Sequence, residues 1–259
     1  MFPYFSKDFG GKYNLYRVEY LKCENCGFVI SKTHFDMTLE EWEALNRKYH
    51  SSYQGSSWNP DDPRWIDRLS AQVEIITKLT NLGIIPRCSS DYPWIDYGCG
   101  DGKLADYLLQ RGLMVFKFDP YMCHNDPQVL SKCQLKMKKN SLVINTSFFE
   151  HVRGIAPLSE IVDLVADFGV MALHTLVRES IPQDPSWFYL LPVHCSFYTN
   201  KSMQILFDKW GFEASIYHVE SRMWFWFRRN GDLIKAILEK EEGKLGEIYF
   251  KKGFMDYWK

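Results

Sequence analysis

An α/β fold with a mostly parallel sheet is what this sequence predicts, on three observations. Strand-like and helix-like patterns alternate from Trp94 onward, as they do in chains whose parallel sheet is covered on both faces. Gly98, Gly100 and Gly102 stand at alternate positions where the apolar run WIDYG passes into a helical pattern. Late in the chain, GFEASIYHV and RMWFWFRR are separated by only two residues, a link so short that the two strands must be antiparallel.

The elements follow in order. YNLYRVEYL and GFVISKTHF read as two short strands flanking the turn KCENCGFV, and TLEEWEALNRKYH follows as a helix with Thr38 and Glu41 as a capping box. Residues 1–60 are thus expected as a small appendage, and residues 61–259 as the main domain. In WNPDDP, Asp62 is the expected N-cap and Pro63 the first residue of a helix with apolar Trp65, Ile66, Leu69, Val73, Ile76, Leu79 and Leu82; Gly83 stops it. WIDYG, MVFKFD, SLVIN and VMALHTLV are the successive strands, with helices over Lys103 to Arg111 and around Leu158 to Asp167. NKSMQILFDKWG is a further helix, Asp232 to about Glu242 the last one, and GEIYFKKGFMDYW an extra strand or docking tail. On RMWFWFRR, Trp224 and Trp226 share one face, which suits packing against a helix.

Composition narrows the function classes. Hydrophobic residues make up 46% and charged residues 24%, enough to build a core. Lys plus Arg number 31 against 32 Asp plus Glu, a net charge of -1. No global field favours nucleic acid or an anionic membrane. No apolar run reaches eighteen residues, and MFPYFSKDFGG lacks the pattern of a secretory signal. A cytoplasmic protein is expected, with no nucleic-acid or membrane partner. The seven cysteines form no even framework. Cys23 and Cys26 are a candidate zinc pair, but a structural zinc takes about four ligands. His34, His50 or a distant cysteine would have to complete it, and a metal-free turn is favoured.

The glycine loop carries the cofactor argument. A strand ending in Asp-x-Gly-x-Gly-x-Gly and feeding a helix lets backbone approach a ligand, because a Cβ at those glycines would occupy ligand space. Asp119, at the end of the next strand, is placed to accept hydrogen bonds from two ribose hydroxyls, and the same acid would repel a 2′-phosphate. IDYGCGDG, FKFDPY, VINTSFFEHV and the closing pair FEASIYHVESRMWFWFRR, in this order over residues 92–230, resemble the class I S-adenosylmethionine-dependent methyltransferases. The resemblance implies a Rossmann-like seven-stranded, mostly parallel sheet with the last strand antiparallel. The turn at Cys23 and Cys26 is similar to the amino-terminal appendages of some bacterial small-molecule and sugar methyltransferases.

Carried over residue by residue, the resemblance implies that Asp96, Tyr97, Gly98, Cys99, Gly100 and Gly102 wrap the methionine part of S-adenosylmethionine. Asp119 binds the ribose, Pro120 and Tyr121 flank the adenine, and Asn145, Thr146 and Ser147 face the sulfonium. The chain between Asp119 and Ser141 is short for the family, so its third strand is expected to be abbreviated or displaced. Methyl transfer needs an aligned nucleophile and usually a base. His151 and His194 are the candidate bases, and Glu150 a group to orient a histidine or hold a metal. His174, in an apolar strand, is expected to be a satisfied core residue, and Trp187, Phe188 and Tyr189 a stacking platform. The implied reaction is methyl transfer to a small polar acceptor, foremost a hydroxyl of a sugar or nucleotide-sugar. Two alternatives stay open here, an inactive cofactor-binding or interaction module and a nicotinamide oxidoreductase, as does the oligomeric state.

Overall fold

The computed structural model describes residues 1–53, 63–121 and 126–257. The expected N-cap Asp62 lies outside the described residues. Strands β1 (Phe2–Asp8), β2 (Arg17–Lys22) and β3 (Val29–Ser31) come first, followed by helices α1 (Lys32–Asp36), α2 (Leu39–Tyr53) and α3 (Pro63–Asn81). The capping box of α2 forms as read: the Thr38 amide donates to Glu41 at 2.8 Å and the Glu41 amide to the Thr38 hydroxyl at 3.2 Å. Gly83, at φ 72°, ends α3 by letting the Ile84 amide turn back to the Leu79 carbonyl.

The alternating region supplies β4 (Trp94–Tyr97), α4 (Lys103–Gln110), β5 (Phe116–Phe118), α5 (Lys132–Leu135), β6 (Asn140–Thr146), α6 (Ile155–Val162) and β7 (Val165–His174). After β8 (Val177–Arg178) and β9 (Ser196–Thr199) come α7 (Asn200–Lys209), β10 (Ala214–His218), β11 (Met223–Phe227), α8 (Gly231–Lys240) and β12 (Ile248–Lys252). The helix expected to reach Asp167 ends sooner, because the chain is already in β7 from Val165. There the pairing with β6 slips between Asn140 and Leu142, and Gly169 passes so close that a Cβ would lie 2.8 Å from the Asn140 carbonyl oxygen.

The main sheet has seven strands in the order β12-β10-β11-β7-β6-β4-β5. Its β5, β4, β6 and β7 are parallel, β11 runs against β7 and β10, and β12 runs against β10. The tail thus adds a second reversed strand to the one expected. The shortened third strand survives as a single parallel bridge between Lys117 and Val129. Alternate residues divide the core between two faces. Ile95, Val143, Trp224 and Trp226 pack with Phe207 of α7 and with Trp210, which caps that helix, on one side, whereas Trp94, Leu142, Ile144 and Phe225 pack with α3 and α4 on the other. The tryptophan pair is therefore core, as its shared face implied.

A second sheet, β1-β2-β3-β9-β8, joins the amino-terminal segment to the rest. Val29 pairs with Phe197 and Ile30 with Ser196. Leu15, Val18, Tyr20, Trp42 and Leu45 share one core with Ile181, Trp187, Leu190, Val193 and Cys195. Arg153 fastens this contact, donating to the carbonyls of His34 at 3.1 Å and Met37 at 2.5 Å, with its guanidinium over the Trp42 ring. Arg153→Ala is expected to cost about 2–4 kcal/mol. Chemical denaturation with limited proteolysis of residues 1–53 checks this; unchanged stability and cleavage would mean the apolar core alone holds the segment.

Candidate active site

The carboxyl ends of β4, β5 and β6 bring the cofactor candidates together. Gly98, Gly100 and Gly102 have φ of 76°, 56° and 76°, values that favour glycine. The space beside two of them is not what the sequence suggested. A Cβ on Gly98 would lie 2.6 Å from the Phe148 ring, and one on Gly102 would lie 3.0 Å from the Lys117 side chain. The glycines thus admit the protein's own side chains to the loop. Lys117 is buried and binds Asp106 and Asp126, which braces the loop from beneath.

Asp119 holds the loop's shape by accepting from the Gly100 amide at 3.0 Å and the Tyr121 amide at 2.8 Å. Pro120 is exposed beside it, whereas Tyr121 is half-buried and accepts a 3.0 Å hydrogen bond from the Trp42 indole. Helix α2 therefore covers this end of the loop. Asp96 is 1% exposed, with Oδ1 unpartnered; burial, then the carboxylates of Asp119 and Asp101, push its carboxyl up to about 7. Asn145 donates to the Tyr97 carbonyl at 2.9 Å and leaves its own Oδ1 buried and unpartnered. Ser147 adopts φ 57° while its amide donates to the His174 carbonyl. Such a conformation in a non-glycine residue is a feature concentrated at functional turns. Two buried acceptor oxygens without a partner among the described residues suit a ligand with cationic or N–H groups, so these residues fit S-adenosylmethionine.

On the acceptor side, the turn Phe149–His151 carries Glu150 and His151 directly after β6. Glu150 is buried and accepts from the Tyr189 hydroxyl at 2.7 Å and the Thr175 hydroxyl at 2.9 Å. Each of its oxygens is thus held by one hydroxyl. His151 and His194 meet edge to face with ring centroids 4.9 Å apart, and His50 of α2 lies 5.2 Å from His151. The Nδ1 of His194 faces the Tyr189 carbonyl at 2.9 Å. His174 is satisfied as expected, by Arg68 at 3.3 Å and the Arg222 carbonyl at 2.7 Å.

The stacking platform divides differently from the expectation. Trp187 is buried against Phe197, Tyr189 turns inward to Glu150, and only Phe188, 72% exposed, faces water. Cys23 and Cys26 form a turn in which the Gly27 amide donates to the Cys23 carbonyl at 2.9 Å, and Thr199 donates to the Cys26 carbonyl. Among the described residues no third metal-ligating side chain gathers there; the cluster with metal-ligating spacing is Glu150, His151 and His194. Tyr189 as a partner of Glu150 and His50 as a neighbour of His151 are not legible in the sequence, because both arrive through long-range contacts.

Buried histidines make the fold acid-sensitive. Burial holds His34 down to about 4 and His174 down to about 3, and it also lowers His218. Their unfolded forms take up protons below about 6.5 while the folded forms do not, so stability falls as pH falls. Each of His34 and His174 is expected to cost about 2 kcal/mol by about pH 5. Asp96 has the opposite sign, because its folded form keeps a proton between about 4 and 7 that the unfolded chain releases. The histidines outweigh it, and thermal unfolding against pH should show the midpoint dropping below about 6.5; a flat curve would contradict their burial.

A model of methyltransferase domains matches residues 65–215. The chain belongs to the methyltransferase domain family. With the order of its sheet and the loop after β4, the match establishes a Rossmann-like class I, S-adenosylmethionine-dependent methyltransferase and sets the oxidoreductase reading aside. None of the curated proteins matches the methyltransferase in sequence. Among solved structures it is similar to the magnesium protoporphyrin IX methyltransferase of Synechocystis with bound S-adenosylmethionine, at 14% identity and TM-score 0.48 over 73% of this chain and 97% of that one. An O-methyltransferase family protein of Burkholderia thailandensis gives 12% identity and TM-score 0.45 over 77% and 63%. A methyltransferase of Archaeoglobus fulgidus gives 18% and 0.39 over 69% and 92%. No helix among the described residues is long and apolar enough to cross a membrane.

Proposed function

We propose that this methyltransferase acts on a small polar acceptor, with a hydroxyl of a sugar or nucleotide-sugar as the foremost class. The observation that carries this reading is the buried polar cluster at the carboxyl ends of β6 and β7. There Glu150, held by the Tyr189 and Thr175 hydroxyls, lies beside His151 and His194. The buried Nδ1 of His151, without a partner among the described residues, favours an acceptor that hydrogen-bonds, because an apolar one would leave it unpaired.

S-adenosylmethionine, when bound, supplies the methyl group as a sulfonium. Asp96, Tyr97, Gly98, Cys99, Gly100 and Gly102 hold its methionine part, with the Asp96 carboxylate toward the ammonium. Asp119 takes the ribose, Pro120 and Tyr121 border the adenine, and Asn145, Thr146 and Ser147 face the reacting centre. The acceptor hydroxyl is oriented by the Glu150, His151 and His194 cluster, which also receives its proton. Alignment supplies much of the rate.

Asp96 gives a pH prediction. An ammonium beside it lowers its pKa, so binding below about pH 7 releases a proton, and affinity rises with pH until about 7. Calorimetry near pH 6 in buffers of different ionisation enthalpy should show this release, and Asp96→Asn should abolish it; buffer-independent heats would remove Asp96 from the ammonium role. For the acceptor, the test is formation of S-adenosylhomocysteine with a panel of nucleoside-diphosphate sugars and free sugars. Turnover with a sugar that falls at least about a hundredfold in His194→Ala and His151→Ala supports the reading. Turnover only with non-sugar acceptors would replace it.

A further inference from the structure

We propose that Glu150, His151 and His194 bind one divalent first-row transition-metal ion. The ligand atoms these three buried residues offer all lie within 4.8 Å of one another. Tetrahedral coordination at about 2.1 Å places ligands about 3.4 Å apart, so closure needs side-chain shifts of about 1 Å. Each imidazole has a nitrogen to offer. A carbonyl oxygen only accepts, so the Tyr189 carbonyl fixes the proton of His194 on Nδ1 and leaves the lone pair on Nε2. The Nδ1 of His151 is buried without a hydrogen-bond partner among the described residues. A buried imidazole nitrogen without a partner is uncommon in a folded protein and asks for an occupant.

The surroundings fit the same reading. The Tyr189 and Thr175 hydroxyls each donate to one oxygen of Glu150, the kind of outer support that orients ligating carboxylates, and each oxygen keeps a further lone pair. Two imidazoles and one carboxylate suit Zn²⁺, Fe²⁺ or Co²⁺, whereas Mg²⁺ and Ca²⁺ prefer all-oxygen sites. The cation would also offset a buried carboxylate, whose burial is otherwise costly. The site is separate from the Cys23 and Cys26 pair, whose soft thiolates would compete for the same ions.

The proposal deepens the reading of this cluster as the acceptor side of the active site: an ion there would take the imidazole lone pairs and replace the histidines as the group that draws off the acceptor's proton, which would pass to water. Its test needs neither cofactor nor acceptor. Chelator-treated full-length protein is titrated with Zn²⁺ by calorimetry, and its Co²⁺ absorption spectrum is recorded. One equivalent is expected, with Co²⁺ showing a nitrogen–oxygen ligand field and no thiolate charge-transfer band. Glu150→Gln and His194→Gln should each weaken Zn²⁺ binding at least tenfold, and the double variant Cys23→Ser with Cys26→Ser should not. No Zn²⁺ binding by the wild type, binding lost only in the cysteine variant, or a thiolate band would each overturn the proposal. The wild-type spectrum decides even where a cluster variant fails to fold. Binding of S-adenosylmethionine without Zn²⁺ binding would sink the metal alone, whereas Zn²⁺ binding without S-adenosylmethionine binding would sink the methyl-transfer reading alone.

Discussion

Asp119→Ala is expected to weaken S-adenosylmethionine binding about a hundredfold while leaving the protein folded. Two ribose hydroxyls donating to one carboxylate make charge-assisted hydrogen bonds worth about 1.5 kcal/mol each or more, and about 3 kcal/mol is a factor of about a hundred in affinity. The same carboxylate also accepts from the amides of Gly100 and Tyr121, so truncation loosens the loop as well as removing the ribose contact. Asp119→Asn separates the two effects. It keeps one acceptor oxygen for the loop but loses the charge, and about tenfold weaker binding is expected. Calorimetric titration reads the affinity, and circular dichroism with thermal unfolding reads the fold. Affinity within about threefold of wild type in the alanine variant would remove Asp119 from the ribose role.

What could be read in the sequence was local. The loop from Asp96 to Gly102, the acid at Asp119 and the turn FFEHV are each short patterns whose meaning lies in the residues beside them, and the structure brings them to one end of one sheet. The capping box at Thr38 and the stop at Gly83 belong to the same class. What escaped depends on contacts far apart in the chain. Strand β1 alternates too weakly to announce itself, and its burial comes from β2 and from the segment around Ile181. GFVISKTHF, expected as a strand, keeps only Val29–Ser31 as β3 before turning into α1, and what the sequence hides is its pairing with β9, where Val29 meets Phe197. Nothing in either segment names the other.

The same reason explains the loop after β7. As a sequence, Trp187, Phe188 and Tyr189 are three aromatics in a connecting segment, and surface stacking is the natural reading. In the fold, the core formed with the amino-terminal sheet claims Trp187, and Glu150 claims the Tyr189 hydroxyl. That hydroxyl fixes a carboxylate 39 residues earlier in the chain. Helix α2 carries the argument furthest: its Trp42 reaches Tyr121 and its His50 reaches His151. A segment expected as an appendage thus contributes one wall of the candidate active site, and only the tertiary structure could reveal it.

Gly98→Ala should be among the most destabilising single substitutions in the protein, and its cause can be isolated by comparison within the chain. Gly98 and Gly112 share φ of 76°, but a Cβ on Gly112 meets nothing within 4 Å, whereas one on Gly98 meets Phe148 ring atoms at 2.6 and 2.9 Å. Gly112→Ala therefore incurs only the conformational cost, about 1–2 kcal/mol. Gly98→Ala incurs that and the overpacking of a buried ring, about 1–3 kcal/mol more. Phe148 has little room to yield: it is 7% exposed, with Tyr97 edge-on at 5.3 Å and Tyr121 stacked at 6.2 Å. If it does yield, it pulls on the turn holding Glu150 and His151, so cofactor binding and acceptor geometry should suffer together. Adding Phe148→Leu to Gly98→Ala should recover part of the steric cost and none of the conformational one, giving a coupling energy of about 1–2 kcal/mol in a double-mutant cycle. Equal losses for Gly98→Ala and Gly112→Ala in chemical denaturation would show that the loop needs glycine there for its dihedral angles alone, and that the fit of Phe148 against Gly98 contributes nothing.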